Sequence, residues 1–150
     1  MTTADWERLV CEQENRLYRA ALAILGSRQE AEDAVQEAFL AFWERAPADL
    51  RDEGAWLMRV LVNGCRSRLR QARRRESVPL WEELPAPEPE ETSLWEELYA
   101  LPPQDRAAIH LFYYEGYSTQ EIAQMLKCRP GTVRSRLSRA RERLKKLLEP

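Results

Sequence analysis

Residues 118–148 read STQEIAQMLKCRPGTVRSRLSRARERLKKLL, the most strongly patterned stretch of the chain. Ser118 followed three positions later by Glu121 forms a capping box, which predicts a helix that starts near Thr119. Pro130 suits the first turn of a second helix, because that position needs no N–H donor. Apolar residues at intervals of three and four place one stripe on each helix: Ile122, Ala123 and Leu126 on the first, and Val133, Leu137, Ala140, Leu144 and Leu147 on the second.

The polar face of the second of these helices is basic near its start. Four side chains there lie away from the apolar stripe: Arg134, Ser135, Ser138 and Arg139. The first turns of a recognition helix reach base edges in the major groove, where an arginine can donate two hydrogen bonds to guanine. Only Glu142 interrupts the basic run, so the pattern favours a helix-turn-helix unit that reads duplex DNA over an ordinary surface helix with solvated arginines.

The charge of the chain is divided into blocks. The formal net charge of −2 over 150 residues would by itself argue against nucleic-acid binding. However, residues 47–75 carry a net charge of +5 and residues 106–150 one of +6, whereas residues 76–105 hold nine acidic side chains and no basic one. Two basic blocks separated by an acidic one indicate two nucleic-acid surfaces.

Composition and motifs disfavour metal sites, cofactors and catalysis. The three cysteines are widely spaced and form no CxxC pair: Cys11, Cys65 and Cys128. With His110 as the single histidine, we expect no metal site, disulfide framework or cofactor, and three small buried thiols. There is no GxxxxGK[ST] loop and no HExxH helix, and His110 lies among apolar residues, so we predict that the chain is not an enzyme.

The chain shows no targeting or membrane-spanning pattern. Charged residues interrupt the N-terminus where a signal peptide would be apolar. No apolar run approaches the ~20 residues that span a bilayer. We therefore expect a cytoplasmic protein without membrane insertion.

Most of the chain predicts helices, and the lack of two-residue alternation favours an all-α fold. A second capping box, Ser27 with Glu30, marks the start of the second helix. The expected helices cover residues 3–25 up to Gly26, residues 27–46 before Pro47, residues 53–75, and residues 104–115 up to Gly116. The second helix carries one apolar face: Ala31, Ala34, Val35, Ala38, Phe39 and Phe42.

Composition divides these helices into two small domains. Residues 76–93 are rich in proline and glutamate and hold no basic residue, which predicts a linker. Residues 1–75 and 94–150 would then form an N-terminal helical bundle and a C-terminal helix-turn-helix domain, each near the size at which one core is marginally stable. The pattern leaves open where Trp81 and Leu84 dock, and it predicts a short helix starting at Ser93.

The third helix predicts a second nucleic-acid surface. One side is apolar: Leu57, Val60, Leu61, Gly64 and Cys65. The opposite side carries Arg59, Asn63, Arg66 and Arg70, followed by three further arginines. Stacked basic side chains track phosphates, and the asparagine can read a base edge with its donor and acceptor. Trp56, at the flank of this face, could stack on a base or anchor the helix in the core.

The second helix has a polar face of a different kind. Asp33, Gln36 and Glu37 are neighbours on it, at spacings of three and four. Because carboxylates repel DNA, this face suits a protein partner or solvent, and spacing alone favours solvent.

Four sequence blocks, in order, resemble those of bacterial extracytoplasmic-function sigma factors, the compact two-domain members of the major sigma family. They are AEDAVQEAFLAFWER (31–45), AWLMRVLVNGCRSRLRQARRR (55–75), LPPQDRAAIHLFYYEGYSTQEIAQML (101–126) and PGTVRSRLSRARERL (130–144). The resemblance implies a protein that binds core RNA polymerase, directs it to promoter DNA and helps to open the duplex.

The resemblance also implies residue roles. Asp33, Gln36 and Glu37 would dock on the polymerase clamp helices, which replaces the solvent interpretation of that face. For the −10 element, the position of Asn63 lies at a pocket that receives a flipped base, with Trp56 beside it and the backbone held by Arg59, Arg66 and Arg70.

The C-terminal unit would read the −35 element through the residues that match the family's readers. They are Arg134, Ser135, Ser138 and Arg139, to which we add Thr132 and Ser118. The acidic linker resembles a segment that threads the RNA exit path, and the family implies an anti-sigma factor as a partner. The alternative is a stand-alone helix-turn-helix regulator, which leaves the basic third helix and the acidic linker unexplained.

Overall fold

A computed structural model describes residues 1–74 and 98–148, and the side chains as far as residue 146. Within those ranges every regular element is helical, which confirms the all-α fold. The elements are α1 (Thr3–Leu25), α2 (Arg28–Arg45), α3 (Glu53–Arg74), α4 (Pro103–Ile109), a π-helical turn (His110–Tyr114), α5 (Thr119–Leu126) and α6 (Pro130–Leu148). The predicted linker, Trp81, Leu84 and the short helix at Ser93 lie outside the described residues.

The first three helices form a bundle whose ends follow local signals. Gly26 ends α1 in the left-handed conformation, with φ of 73°, which glycine adopts without strain. The Ser27 hydroxyl accepts a hydrogen bond from the Glu30 N–H at 3.3 Å and so caps α2. The reciprocal half of the predicted capping box was wrong, because the Glu30 carboxylate pairs with Arg68 of α3 instead.

The predicted apolar faces are buried with few exceptions. All six apolar positions of α2 lie in the core, as do Leu57, Leu61 and Cys65 of α3. Val60 and Gly64 are only half-buried. The pattern missed a second buried side of α3, formed by Met58 and Val62. This side exists because α3 packs on α5 of the C-terminal half as well as on α1 and α2.

The helix predicted over residues 104–115 is divided in the structure. It is α-helical to Ile109 and then widens into a π turn, in which the Glu115 N–H bonds to the His110 carbonyl at 3.1 Å. The His110 ring stacks on Tyr114 with centroids 4.9 Å apart. Periodicity could not show this, because an i→i+5 turn leaves no distinct apolar spacing. Gly116 follows with φ of 78°.

The helix-turn-helix unit forms as the sequence predicted. The Ser118 hydroxyl and the Glu121 carboxylate accept each other's backbone N–H at 3.1 and 3.0 Å. Lys127 makes the turn in the left-handed conformation, with φ of 54°. The predicted stripe residues are buried: Ile122, Ala123, Leu126, Val133, Leu137 and Ala140. Leu144 is half-buried, and the side chain of Leu147 lies outside the described residues.

The thiols differ from the expectation of three buried cysteines. Cys65 is fully buried, and burial raises the pKa of its thiol to about 12. Cys128 is half-buried at the turn before α6, and Cys11 is exposed on the outer side of α1. The expectation was therefore wrong for two of them, because a small side chain does not by itself report which side of a helix faces the core. Among the described residues, no helix is both long and apolar enough to cross a membrane.

We predict opposite effects on stability when alanine replaces two exposed or half-exposed glycines. Gly64 is inside α3, and an added Cβ meets nothing within 4 Å, so Gly64→Ala should raise the free energy of unfolding by about 0.5–1 kcal/mol. Gly116→Ala should lower it by about 1–2 kcal/mol, because its left-handed backbone strains an L-residue. Urea unfolding measures both values, and equal effects at the two sites would contradict the assigned conformations.

We also predict an acid-sensitive contribution from His110. Burial, together with the nearby Arg19, lowers the pKa of this side chain from 6.5 to about 4. The unfolded chain therefore binds the proton more readily, so the stability present above pH 6.5 is lost as the pH falls toward 4. Between pH 7 and pH 5 the free energy of unfolding should fall by about 1–2 kcal/mol more for the native chain than for His110→Phe. Parallel pH profiles for the two proteins would exclude this role.

Candidate nucleic-acid interface

The start of α6 presents an open polar face. Arg134, Ser135, Ser138 and Arg139 are all exposed, and within the described part of the chain none is held in an ion pair or side-chain hydrogen bond. Thr132 is half-buried one turn earlier. Ser118 is exposed, but its hydroxyl already accepts the Glu121 N–H. The structure therefore groups five of the six predicted −35 residues on one helix, with Ser118 at the start of the neighbouring one.

Other arginines of α6 serve packing instead. Arg136 donates a weak hydrogen bond to Cys128 Sγ at 3.7 Å. Arg141 lies over the Tyr113 ring, 5.4 Å from its centroid, and donates to its hydroxyl. These contacts separate two structural arginines from the two exposed ones, a distinction that the basic run alone did not reveal.

A buried carboxylate lies beneath this helix. Asp105, near the start of α4, is 8% exposed. Burial raises the pKa of its carboxyl group, and the nearby charges of Arg139, Arg136 and Arg143 oppose that shift. Asp105 therefore lies behind the basic face, close to the charges of three arginines of α6. Sequence reasoning missed it, because the side chain belongs to another helix.

The predicted basic face of α3 is partly covered by the C-terminal half. Arg59, Asn63 and Arg70 are exposed, but Arg66 is only half-exposed and its Nη1 atom is buried without a hydrogen-bond partner. Arg59 reaches α5, where Nη2 lies 3.4 Å from Gln124 Oε1. Burial, with the charges of Arg70 and Arg136 nearby, lowers the pKa of Arg66.

The other two features of the α3 surface are Trp56 and a shallow groove. Trp56 is half-buried and meets Phe42 edge to face with centroids 5.6 Å apart, which favours the core-anchor interpretation. Asn63 and Gly64 line a groove of about 280 Å³ between α2 and α3. The groove also exposes Leu40 and Glu37, so its floor and rim combine apolar and polar groups.

The polar face of α2 contains apolar side chains that the sequence reasoning did not single out. Gln36 and Glu37 are exposed and Asp33 is half-buried. Leu40 and Trp43 continue the same side of the helix and are 56% and 63% exposed. Large exposed apolar groups beside polar ones indicate a contact surface for another macromolecule. Their signal in the sequence was an apolar residue at helical spacing from Gln36 and Glu37.

An arginine of α3 ties this face to the basic helix. Arg68 donates to the carboxylates of both Glu30 and Glu37, the latter at 2.6 Å. The charge of Glu37 is thus partly neutralised within the protein, whereas within the described residues Asp33 is in no ion pair. The two predicted acidic docking residues are therefore not equivalent.

Comparisons with known proteins agree with this geometry. Residues 9–75 match the family Sigma-70 region 2, and residues 92–144 match Sigma-70, region 4. The ECF RNA polymerase sigma factor SigM of Mycobacterium tuberculosis is 34% identical over 151 residues, covering 95% of this chain and 76% of that protein. The RNA polymerase sigma-H factor of Pseudomonas aeruginosa is 30% identical, covering 97% and 86%.

Two solved structures are similar over nearly the whole chain. The sigma factor RpoE of Bartonella quintana, crystallised with the anti-sigma factor NepR, has a TM-score of 0.79 at 28% identity and covers 96% of both chains. CnrH, in complex with the cytosolic domain of CnrY, has a TM-score of 0.71 at 27% identity and covers 98% of this chain and 89% of its own. This chain therefore belongs to the extracytoplasmic-function family of RNA polymerase sigma factors.

Proposed function

We propose that this chain binds core RNA polymerase and directs it to a set of promoters, using α6 for the −35 element and α3 for the −10 element. The observation that carries the proposal is the open, unpaired Arg–Ser face at the start of α6, on a helix-turn-helix unit that belongs to a sigma family. A stand-alone regulator is not favoured, because the family match extends over the N-terminal helices as well.

The proposed −35 contact places the start of α6 in the major groove. Arg134 and Arg139 have the donors to pair with guanine, and Ser135 and Ser138 can bond to base edges or phosphates. Ser118 and Thr132 would hold phosphates at the ends of the two helices. The two arginines and two serines of α6 are exposed in the free chain, so duplex binding here needs none of these side chains to leave an existing ion pair.

The proposed −10 contact uses α3 and the groove beside it. Asn63 lines the groove, where an extruded base could lie against Val60 while the amide reads its edge. Arg59, Arg66 and Arg70 would hold the strand by its phosphates. The half-buried Trp56 would support this face from the core.

The proposed polymerase-docking surface is the α2 face. Asp33, Gln36 and Glu37 supply its polar groups, and we extend it with Leu40 and Trp43. Tryptophan is a frequent source of binding energy in protein interfaces, and Trp43 stays 63% exposed although its ring meets Trp6 edge to face with centroids 5.1 Å apart. This extension accounts for two exposed side chains that a solvent-facing helix would not need.

The two halves of the chain would divide the work of promoter recognition. Residues 1–75 and 94–150 would act as the two promoter-reading domains, with the acidic residues 76–93 as their linker. The protein would work in the cytoplasm, where polymerase acts, as a non-enzymatic initiation factor. An anti-sigma factor is a further proposed partner, since the similar sigma factor RpoE was crystallised with the anti-sigma factor NepR.

The test is transcription in vitro with core RNA polymerase on fragmented host DNA, with RNA 5′ ends sequenced in the presence and absence of the protein. New start sites that share two spaced upstream motifs are expected. A folded protein that gives no new start sites would overturn the proposal and leave the stand-alone regulator.

The two exposed arginines at the start of α6 give a specific prediction for −35 recognition. Arg134→Ala or Arg139→Ala should weaken discrimination of the −35 sequence by about 1–3 kcal/mol, measured as the ratio of transcription from matched and mutated −35 elements. Lys146→Ala is the matched control, because it removes one exposed positive charge from the far end of the same helix. An unchanged ratio in the arginine variants, or an equal loss in the control, would contradict base reading.

The docking surface gives another prediction. Asp33→Lys combined with Gln36→Lys should weaken polymerase binding at least tenfold, about 1.4 kcal/mol, because the new cations replace the polar groups that meet the partner. These positions test the surface more cleanly than Glu37, whose replacement would also break the Arg68 pair. Glu14→Lys, an exposed charge reversal on α1, serves as the control. Retained polymerase binding by the α2 variant would reject this surface.

A further inference from the structure

Acidic side chains form a row along α2 on the proposed docking side. Glu30, Asp33 and Glu37 are spaced by three and four residues, so neighbouring members of the row lie one helical turn apart. Like charges at this spacing repel each other and destabilise a helix. A counter-charge from another helix can relieve this repulsion.

Arg68 of α3 supplies a counter-charge through two ion pairs. Its Nη1 atom donates to Glu30 Oε2, and its Nη2 atom donates to Glu37 Oε1 at 2.6 Å. The two glutamates are separated by two helical turns, about 10 Å along the axis of α2. One guanidinium joins both carboxylates only when the two side chains lean toward it. The pairs therefore fix the direction in which the Glu37 side chain extends.

The two ends of this bridge differ in exposure. The side chains of Arg68 and Glu30 are 17% and 29% exposed, whereas that of Glu37 is 65% exposed. The arginine is thus anchored at Glu30, in the seam between α2 and α3, and reaches outward to Glu37. Because the guanidinium is a rigid planar fork, anchoring one of its nitrogens also sets the position of the other.

The inner side of the guanidinium shows which contacts orient it. Arg68 Nε is buried and has no hydrogen-bond partner among the described residues. The nearby Cys65 thiol is fully buried, and burial raises its pKa to about 12, so it adds no charge to the network at neutral pH. A buried N–H without an acceptor is costly. The two carboxylates, and not the Nε donor, therefore determine how Arg68 is placed.

The held carboxylate of Glu37 still has free acceptor sites. It accepts one hydrogen bond from Arg68 through Oε1, and a carboxylate has roughly four lone-pair sites. A docking partner can therefore bond to Glu37 while Arg68 stays in place. Such a partner meets a side chain whose direction is already set, so it does not have to order an exposed glutamate on binding.

We propose that Arg68 is a positioning residue for polymerase docking, because it holds the Glu37 carboxylate in one direction beside Asp33 and Gln36. The docking role rests on the proposed function, whereas the placement of Glu37 in the free chain does not. Arg68 has two opposing effects: its charge reduces the attraction of the acidic row for a cationic partner, and its contacts order Glu37. The ordering effect dominates, because salt screens long-range attraction but does not change the entropy of a freely rotating side chain.

Side-chain coupling constants, measured by NMR on the full chain, test the placement directly. In the native protein those of Glu37 should report one dominant rotamer, and in Arg68→Met they should report averaging over several staggered rotamers. Glu44 is an exposed glutamate on the same helix and in no ion pair among the described residues, so it should be averaged in both proteins. An averaged Glu37 in the native protein, or a single rotamer retained in the variant, would overturn the proposal.

Affinity for core RNA polymerase tests the consequence for docking. Arg68→Met should weaken binding roughly two- to tenfold, although it makes the docking surface more acidic. Arg28→Met is the matched control, because it removes an exposed positive charge from the start of α2, and it should bind no more weakly than the native protein. Tighter binding by Arg68→Met would mean that charge outweighs order and would reject the positioning role.

A double-mutant cycle separates positioning from a general structural effect. In the background of Glu37→Ala, Arg68→Met should cause little further loss of affinity, since the side chain that it positions is gone. An undiminished loss would show that Arg68 does not act through Glu37. If Arg68→Met loses its helical circular dichroism, Arg68→Lys takes its place, because an ammonium keeps the charge but lacks the fork that joins both carboxylates.

The two measurements also distinguish this inference from the proposed function. A folded native protein without affinity for core RNA polymerase would reject the docking surface. The rotamers of Glu37 in the native protein and in Arg68→Met would then decide by themselves whether Arg68 positions that carboxylate.

Discussion

The cap that Arg106 places on the end of α1 is the contact on which the arrangement of this protein depends. A buried guanidinium is costly unless its donors find acceptors. Here two of the acceptors are carbonyls at the end of α1 that have no partner within the helix. The arginine therefore gains acceptors, and the helix terminus gains donors. The same contact aligns the two halves so that their apolar faces merge into one core. Two bundles that would each be marginal alone are thereby stabilised together.

The packing of the C-terminal half on α3 places opposing interactions on the two sides of that helix. Met58 and Val62 are buried in the shared core, while Arg66 lies near the like charges of Arg70 and Arg136. Apolar burial therefore stabilises the packing of α3 on one side, and repulsion between like charges opposes it on the other. By contrast, the reading face of α6 stays open, so the two proposed DNA contacts differ in how accessible they are in the free chain.

On the α2 face, the exposure of individual side chains gives information that the spacing of polar residues did not. From spacing, Asp33, Gln36 and Glu37 were compatible with plain solvent, and only the family resemblance indicated a docking surface. The exposed Leu40 and Trp43 supply a physical reason that is independent of resemblance, because large apolar side chains left in water favour contact with another surface. The pairing of Glu37 with Arg68 then shows that its charge also serves the bundle.

Local chemistry was readable from the amino-acid order: the capping box at Ser118, the stop at Gly26 and the open basic face of α6 are all set within a few residues along the chain. These predictions held because caps, turns and helical faces depend on near neighbours. The π turn at His110, the exposure of Cys11 and the structural use of Arg136 and Arg141 were not readable. Arg106 is the clearest case, since nothing near it in sequence requires a buried arginine. Its two acceptors on α1 lie about eighty residues earlier, and only the packing of the two halves brings them together.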